Sequence, residues 1–424
     1  MNNNIMKQAN ILLPQNADLN AFSVVACDQY TSEPDYWNSV KEIACDKPSA
    51  LNMVFPEIYL KTADFDKTVN NINDTMKKYL SDTLFKEYQN AFIYVERTLK
   101  NGNVRKGIIG MIDLEAYDYT VGSGSAIRAT EGTVLDRIPP RVKIRENAPI
   151  ELPHVMLLID DEDNSVIKPL SNKKSSLELI YSFTMMKDSG SIKGYLLDET
   201  CCNNLLAGIA KLADKEHFNA RYSVTDKDLL LFAVGDGNHS LATARKCYMN
   251  LKEKLGEENA KNHPARYALV ELVNLHDESL EFEAIHRVLF DVSSADVIKA
   301  LGEKYILSDT YVEGAQRIDV VISAETHPLY ITNPSLNLPV GSLQVFIDEY
   351  LTTHSGEVDY IHGDNVVKTL CKDTNTIGFI LPSMDKNDLF KTVILDGALP
   401  RKTFSMGEAC DKRFYLEARK ISQD

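Results

Sequence analysis

An unbroken apolar run at residues 229–234 meets two glycines and passes, without a spacer, into a helical pattern. The order is Leu229, Leu230, Leu231, Phe232, Ala233 and Val234, then Gly235, Asp236, Gly237, Asn238, His239 and Ser240. A short apolar run bounded by glycine reads as a buried strand. Beyond it, Leu241, Ala244, Tyr248 and Leu251 recur at helical spacing, so residues 240–255 are expected to be a helix. A strand turning directly into a helix belongs to mixed α/β architecture and leaves backbone N–H groups unbonded at one point. Those groups and the positive end of the helix dipole make a cradle for phosphate. The glycines allow positive φ, and Gly237 is expected to clear the approach of a ligand to the backbone. The same pattern also describes a plain structural turn in which His239 caps the helix or packs in the core.

The rest of the chain alternates similarly. Residues 22–27 and 51–55 read as strands, and residues 65–88 as a helix. Ser32 and Asp35 form a capping box for a helix whose apolar face is Trp37, Val40, Ile43 and Ala44, with Pro34 in its first turn. Residues 91–96 and 106–113 are expected to pair around the turn at Asn101 and Gly102, and residues 177–186 and 192–197 around Asp188 to Gly190. Residues 155–159 read as a strand and 203–213 as a helix. Between Arg128 and Arg145 basic residues outnumber acidic ones, and Pro139 and Pro140 interrupt any helix there. Residues 266–275 and 282–290 read as strands, residues 295–395 alternate helix and strand, and the tail 405–421 reads as an amphipathic helix.

Charge and cysteine usage narrow the class of activity. The 424-residue chain has a formal net charge of -15, which disfavours a nucleic-acid backbone as partner but leaves room for small anions in a local positive pocket. Its seven cysteines show no paired spacing, as expected of small buried hydrophobes in a reducing compartment, so no zinc site is assigned. Residues 1–20 lack a basic start and an apolar run, and no stretch approaches the ~20 apolar residues of a membrane helix, so a cytoplasmic location and no membrane partner are expected.

The segment from Gly235 through Ala244 resembles the Asp-Gly-His-His-Arg box of a large uncharacterised bacterial and archaeal family. That family is similar to the ParB/sulfiredoxin fold and includes nucleotide-dependent free serine kinases. Further resemblances follow in order. The segment from Ile127 to Thr133, containing Arg128, Thr130 and Glu131, together with Arg141, resembles the family's His-Glu-x-Thr and Asp-Arg elements. Val24 to Tyr30 sits where the family has a strand leading into Pro-Tyr-Asp, Ile285 to Val288 resembles its Thr-His-Arg segment, and Leu399 to Thr403 its Pro-Gln-Lys-Ser-Thr segment. Where the family's box has a second histidine and an arginine, this chain has Asn238 and Ser240, leaving Arg287, Arg141 or Lys402 to supply the missing charge.

The resemblance implies an α/β (α+β) protein with a ParB/sulfiredoxin-like nucleotide-binding unit at residues 126–290. It carries the basic segment and the box, flanked by α/β segments at 1–125 and 291–424. It also implies a phosphotransferase acting on the hydroxyl of a small amino-acid-like substrate, with ATP or ADP as donor and magnesium as cofactor. Gly235, Gly237, Asn238, Ser240, Arg128, Thr130, Glu131, Arg141, His286, Arg287 and Lys402 would bind phosphate or nucleotide. His239 would donate a hydrogen bond or shuttle a proton, Asp236 would help hold magnesium, and Glu33 would be the base. The alternative is a nucleotide-binding regulatory protein without catalysis; a ParB-like DNA-binding role is disfavoured by the charge.

Overall fold

The computed structural model describes residues 5–61 and 64–423. They divide into two units, Met1–Leu280 with Glu408–Asp424, and Glu281–Gly407. The expected boundaries near residues 125 and 290 do not coincide with this division. Strands from both sides of residue 125 share one sheet, and Phe282–Phe290 belongs to the second unit.

The first unit is built on a mixed sheet whose strands run, in spatial order, Glu178–Thr184, Ser191–Leu196, Ile93–Thr98, Val104–Asp113, Tyr267–Asn274, Met156–Ile159, Phe232–Asp236, Ile127–Ala129 and Tyr117–Asp118. Met6–Lys7 pairs with Val104–Asp113 beside this path. The sheet is buried on both faces: Ile93, Val95 and Ile109 enter one apolar cluster, while Tyr94, Ile108 and Ile112 enter the other, following the two-residue period of a strand. The box strand Phe232–Asp236 is parallel to Ile127–Ala129 and antiparallel to Met156–Ile159. One end of the sheet therefore collects the exit of the box strand, the exit at Thr130 and Glu131, and the entry at His154 and Val155.

Both expected hairpins form, with Gly102 and Gly190 at φ of +88° and +83° in their turns. Several local expectations are corrected. Residues 22–27 are not a strand: Leu19–Phe22 is helical, and beyond it only Val25 bridges to Phe414. The run at 51–55 is replaced by the 3-10 turn Ala50–Met53, capped by Ser49. The helix expected over 65–88 ends at Ser81, and Phe85–Ala91 pairs with Ala9–Pro14 as a strand. Glu33, rather than Ser32, is the N-cap of Pro34–Ala44, and it makes no side-chain cap bond. Pro139 and Pro140 lie in the first turn of the helix Ile138–Arg145 and do not break it, because the first turn has no N–H to lose.

The tail is the largest departure. Instead of a helix it is an extended strap whose backbone bonds to Val24, Leu12 and Pro149. Phe414, Tyr415, Leu416 and Ala418 are buried together, a pattern that one helix face cannot provide. Arg413 and Glu417 carry the four-residue spacing of a helical ion pair, but Arg413 reaches across the strap to Glu417 and to Glu271, each at 2.6 Å.

In the second unit an antiparallel sheet runs Leu307–Ser308, Glu325–Ile331, Gln316–Ile322, Thr376–Ile380, Phe282–Phe290 and Glu357–His362, with Phe404–Met406 beside the start of Phe282–Phe290. Helices Ser294–Lys304, Pro339–Thr353, Asp364–Leu370 and Lys386–Asp396 complete it. No helix among the described residues is long and apolar enough to cross a membrane.

Candidate functional site

The box strand ends at Asp236, Gly237 turns the chain at φ +80°, and the 18-residue helix Asn238–Leu255 begins at once. The first N–H to return into this helix is that of Leu241, donating to the Gly237 carbonyl at 3.0 Å. The N–H groups of Asn238, His239 and Ser240 find no acceptor among the described residues, and no side chain caps the helix. Three donors and the positive end of a long dipole therefore face one place.

Gly237 takes the expected positive φ, and its missing side chain also allows a close approach of neighbouring backbone. A Cβ there would lie 3.0 Å from Val155 Cα and 3.4 Å from His154 Cδ2, so the glycine admits the neighbouring strand entry as well as the positive φ. Gly235 serves the same close packing, since its Cβ would meet Leu158 Cγ at 2.8 Å.

Two flanking contacts hold the turn. The Thr130 hydroxyl donates to the Val234 carbonyl at 2.8 Å, and the Val134 N–H donates to His239 Nε2 at 3.2 Å. The second bond makes Nε2 an acceptor, so the neutral ring carries its proton on Nδ1. Burial, then the nearby Arg141 and Arg137, push the His239 pKa down to about 4, with Asp28 opposing them. Near neutral pH the ring is thus a hydrogen-bond donor and acceptor and not a cation.

A second layer gathers at the same end of the sheet. Asp236 accepts the Gly237 N–H on Oδ1 at 3.1 Å, while its buried Oδ2 has no hydrogen bond and faces Lys412 Nζ at 3.7 Å. His154 Nε2 stands 3.7 Å from Asp28 Oδ2, and its Nδ1 is 2.9 Å from the Tyr415 hydroxyl. That hydroxyl also accepts the Cys27 N–H at 3.1 Å and is held protonated, chiefly by burial. Burial pushes the Asp28 carboxyl up, but His154, the Gln29 amide and Lys412 outweigh it and hold the carboxyl below its usual range.

Beside this layer is a cavity of about 130 Å³ whose lining includes Ser240, Thr243, His154, Arg141 and Glu57. Arg141 also donates to the Arg137 carbonyl at 2.6 Å. The Cys27 thiol in the lining is pushed up to about 12, chiefly by burial, and stays protonated.

The structure thus places Gly235, Asp236, Gly237, Asn238, His239, Ser240, Thr130 and Arg141 around one turn. Glu131 follows Thr130 at the strand exit. Arg128 is buried, its guanidinium bonded to the carbonyls of Ser125, Asp228 and Leu229. Glu33 is exposed; its charge is felt by Tyr30 and Tyr36, whereas the acidic neighbour of His239 is Asp28. His286, Arg287 and Lys402 belong to the second unit. His286 and Arg287 point to opposite faces of their strand, but both are buried, so neither faces solvent. His286 bonds Asp364 at 3.0 Å, and Arg287 bonds Gln344 and the carbonyls of Ile285, Arg401 and Lys402. Lys402 Nζ lies 5.1 Å over the Tyr360 ring.

Sequence reading missed His154, Asp28, Lys412 and Tyr415 as one group. Asp28 and Lys412 stood in segments already singled out, but nothing local marked His154. Among the described residues no three His, Cys, Asp or Glu side chains cluster as a metal site, and all seven cysteines are free.

A comparison with curated proteins finds no match. Among solved structures, a free serine kinase in complex with AMP aligns at 10% identity and a TM-score of 0.36, covering 73% of this chain and 91% of that one. A variant free serine kinase in complex with ADP aligns at 9% identity and 0.37, over 75% and 93%. A conserved hypothetical protein from Pyrococcus furiosus aligns at 11% and 0.34, over 74% and 94%. The family described as "Protein of unknown function (DUF1015)" matches residues 10–382, and the chain belongs to that family.

Proposed function

We propose that the box binds the phosphates of ATP or ADP and that the protein transfers a phosphoryl group to the hydroxyl of a small amino-acid-like acceptor. The observation that carries this reading is the set of three unengaged N–H groups at Asn238, His239 and Ser240. They open an 18-residue helix, with Lys412 and Arg141 close by. Phosphoryl transfer depends chiefly on positioning and on neutralising charge, which backbone donors and a nearby ammonium supply. The acceptor oxygen would bond to phosphorus as the bond to the leaving phosphate oxygen breaks, and the hydroxyl proton would pass to Asp28. Asp28 is preferred to Glu33 for this role because its charge reaches His239. Magnesium fits the site: the buried, unbonded Asp236 Oδ2 would hold it together with the nucleotide's phosphates, and the ion would supply charge neutralisation. His239 would orient the turn through Val134 and donate through Nδ1.

A nucleotide-binding role without catalysis is the second reading. It is favoured by the depressed basicity of Asp28, which weakens it as a proton acceptor. Incubation with ATP or ADP and a panel of hydroxy amino acids separates the two. Phosphorylated product selects the transferase, and a nucleotide-dependent rise in Tm without product selects the binding protein.

A further inference from the structure

The cavity beside the box is far more apolar than a site for serine requires. Met53, Phe55, Met76, Ile144 and Ile150 line its interior, while Ser240 and His154 face both the cavity and the phosphate turn. Two ion pairs border it, and burial separates their roles. Glu151 is 2% exposed and is locked by Arg145, Arg419 and the Leu269 N–H, so it serves the fold. Arg141 and Glu57 are each 17% exposed, and Glu57 Oε2 and further guanidinium N–H groups of Arg141 remain for a ligand. This pair complements a zwitterionic head group: the guanidinium suits a carboxylate and the Glu57 carboxylate suits an ammonium.

On the reading of the box as a phosphate site, we propose that this cavity is the acceptor pocket and that it selects a hydroxy amino acid with a branched apolar body over serine. Serine would satisfy the head-group pair and present its hydroxyl toward the turn, but it would leave the apolar walls facing water. A larger aliphatic body removes those walls from water, and each matched carbon group is worth about tenfold or more in discrimination. A pocket with an apolar lining and a few convergent polar groups is the usual form of a small-molecule site.

The test titrates the full-length protein, with and without ADP, with L-serine, L-threonine, 3-hydroxyvaline and 3-hydroxyleucine. The series keeps the head group and the β-hydroxyl constant while the carbon body grows. Affinity is expected to rise roughly tenfold for each carbon added, about 10³-fold from serine to 3-hydroxyleucine. Ala148→Leu, which fills the cavity, should erase that gain while ADP affinity stays unchanged. If Ala148→Leu fails to fold, Ile144→Ala should reduce the gain by removing part of the wall. Serine binding as tightly as 3-hydroxyleucine, no member of the series binding, or the gain surviving in the folded variants would overturn the proposal. Loss of nucleotide binding with the graded series intact would instead overturn the phosphoryl-transfer reading and leave the pocket standing.

Discussion

The backbone N–H of Val134 donates to Nε2 of His239 at 3.2 Å, so the basic segment and the helix that opens at the box are joined through one neutral imidazole. The bond requires an unprotonated Nε2, and protonation would replace an acceptor with a donor facing a donor.

The first prediction follows from that bond. Burial and the two arginines lower the His239 pKa from its ordinary 6.5 to about 4. The unfolded chain then binds a proton that the folded one refuses, so stability is fully present above pH 6.5 and falls as the pH drops from 6.5 toward about 4. Thermal denaturation at pH 7 and pH 5 should show a smaller drop in Tm for His239→Asn than for the parent protein. Equal drops would mean that the imidazole titrates normally.

Gly237 and Gly256 flank the same helix and share a φ of +80°, but only Gly237 has neighbours within 4 Å of a Cβ. Gly256, at ψ 158°, lies in a region only glycine adopts readily, so Gly256→Ala should cost about 1–3 kcal/mol from backbone strain alone and leave ADP binding unchanged. Gly237, at ψ 26°, is left-handed, and Gly237→Ala should cost about 1–2 kcal/mol of strain plus the displacement of Val155, and should weaken ADP binding. Paired denaturation and calorimetry measure both effects; unchanged ADP affinity in Gly237→Ala would count against the turn as the phosphate site.

Asp28→Asn should lower turnover by about 10²–10⁴-fold while nucleotide affinity changes little, as expected for loss of a proton acceptor. Glu33→Gln should leave turnover near that of the parent. The reverse ranking, measured on the best acceptor, would return the base to Glu33.

Arg141→Ala should weaken acceptor binding more than Lys261→Ala, because Arg141 lines the cavity with Glu57, whereas Lys261 is exposed. It should also raise the His239 pKa, since a neighbouring positive charge is removed. Titration of the imidazole by NMR checks the second effect, and an unchanged or lower value would count against an electrostatic link between them.

What the sequence determined by itself was the local machinery. The apolar run ending at Val234, the glycine pair and the helical spacing from Leu241 specify a strand, a sharp turn and a helix through short-range sterics and hydrogen bonding, and the structure contains all three. The hairpin turns at Gly102 and Gly190 were legible for the same reason. The tail was not, because Arg413 and Glu417 carry a helical charge spacing, whereas the partners that make the segment extended lie at Leu12, Val24 and Glu271. Only the tertiary structure decided that Asp28, His154 and Lys412 meet beside Asp236. Their meeting depends on a parallel and an antiparallel neighbour flanking one strand, and on a strap returning from the far end of the chain. No local pattern encodes such contacts, because burial and long-range backbone pairing create them together.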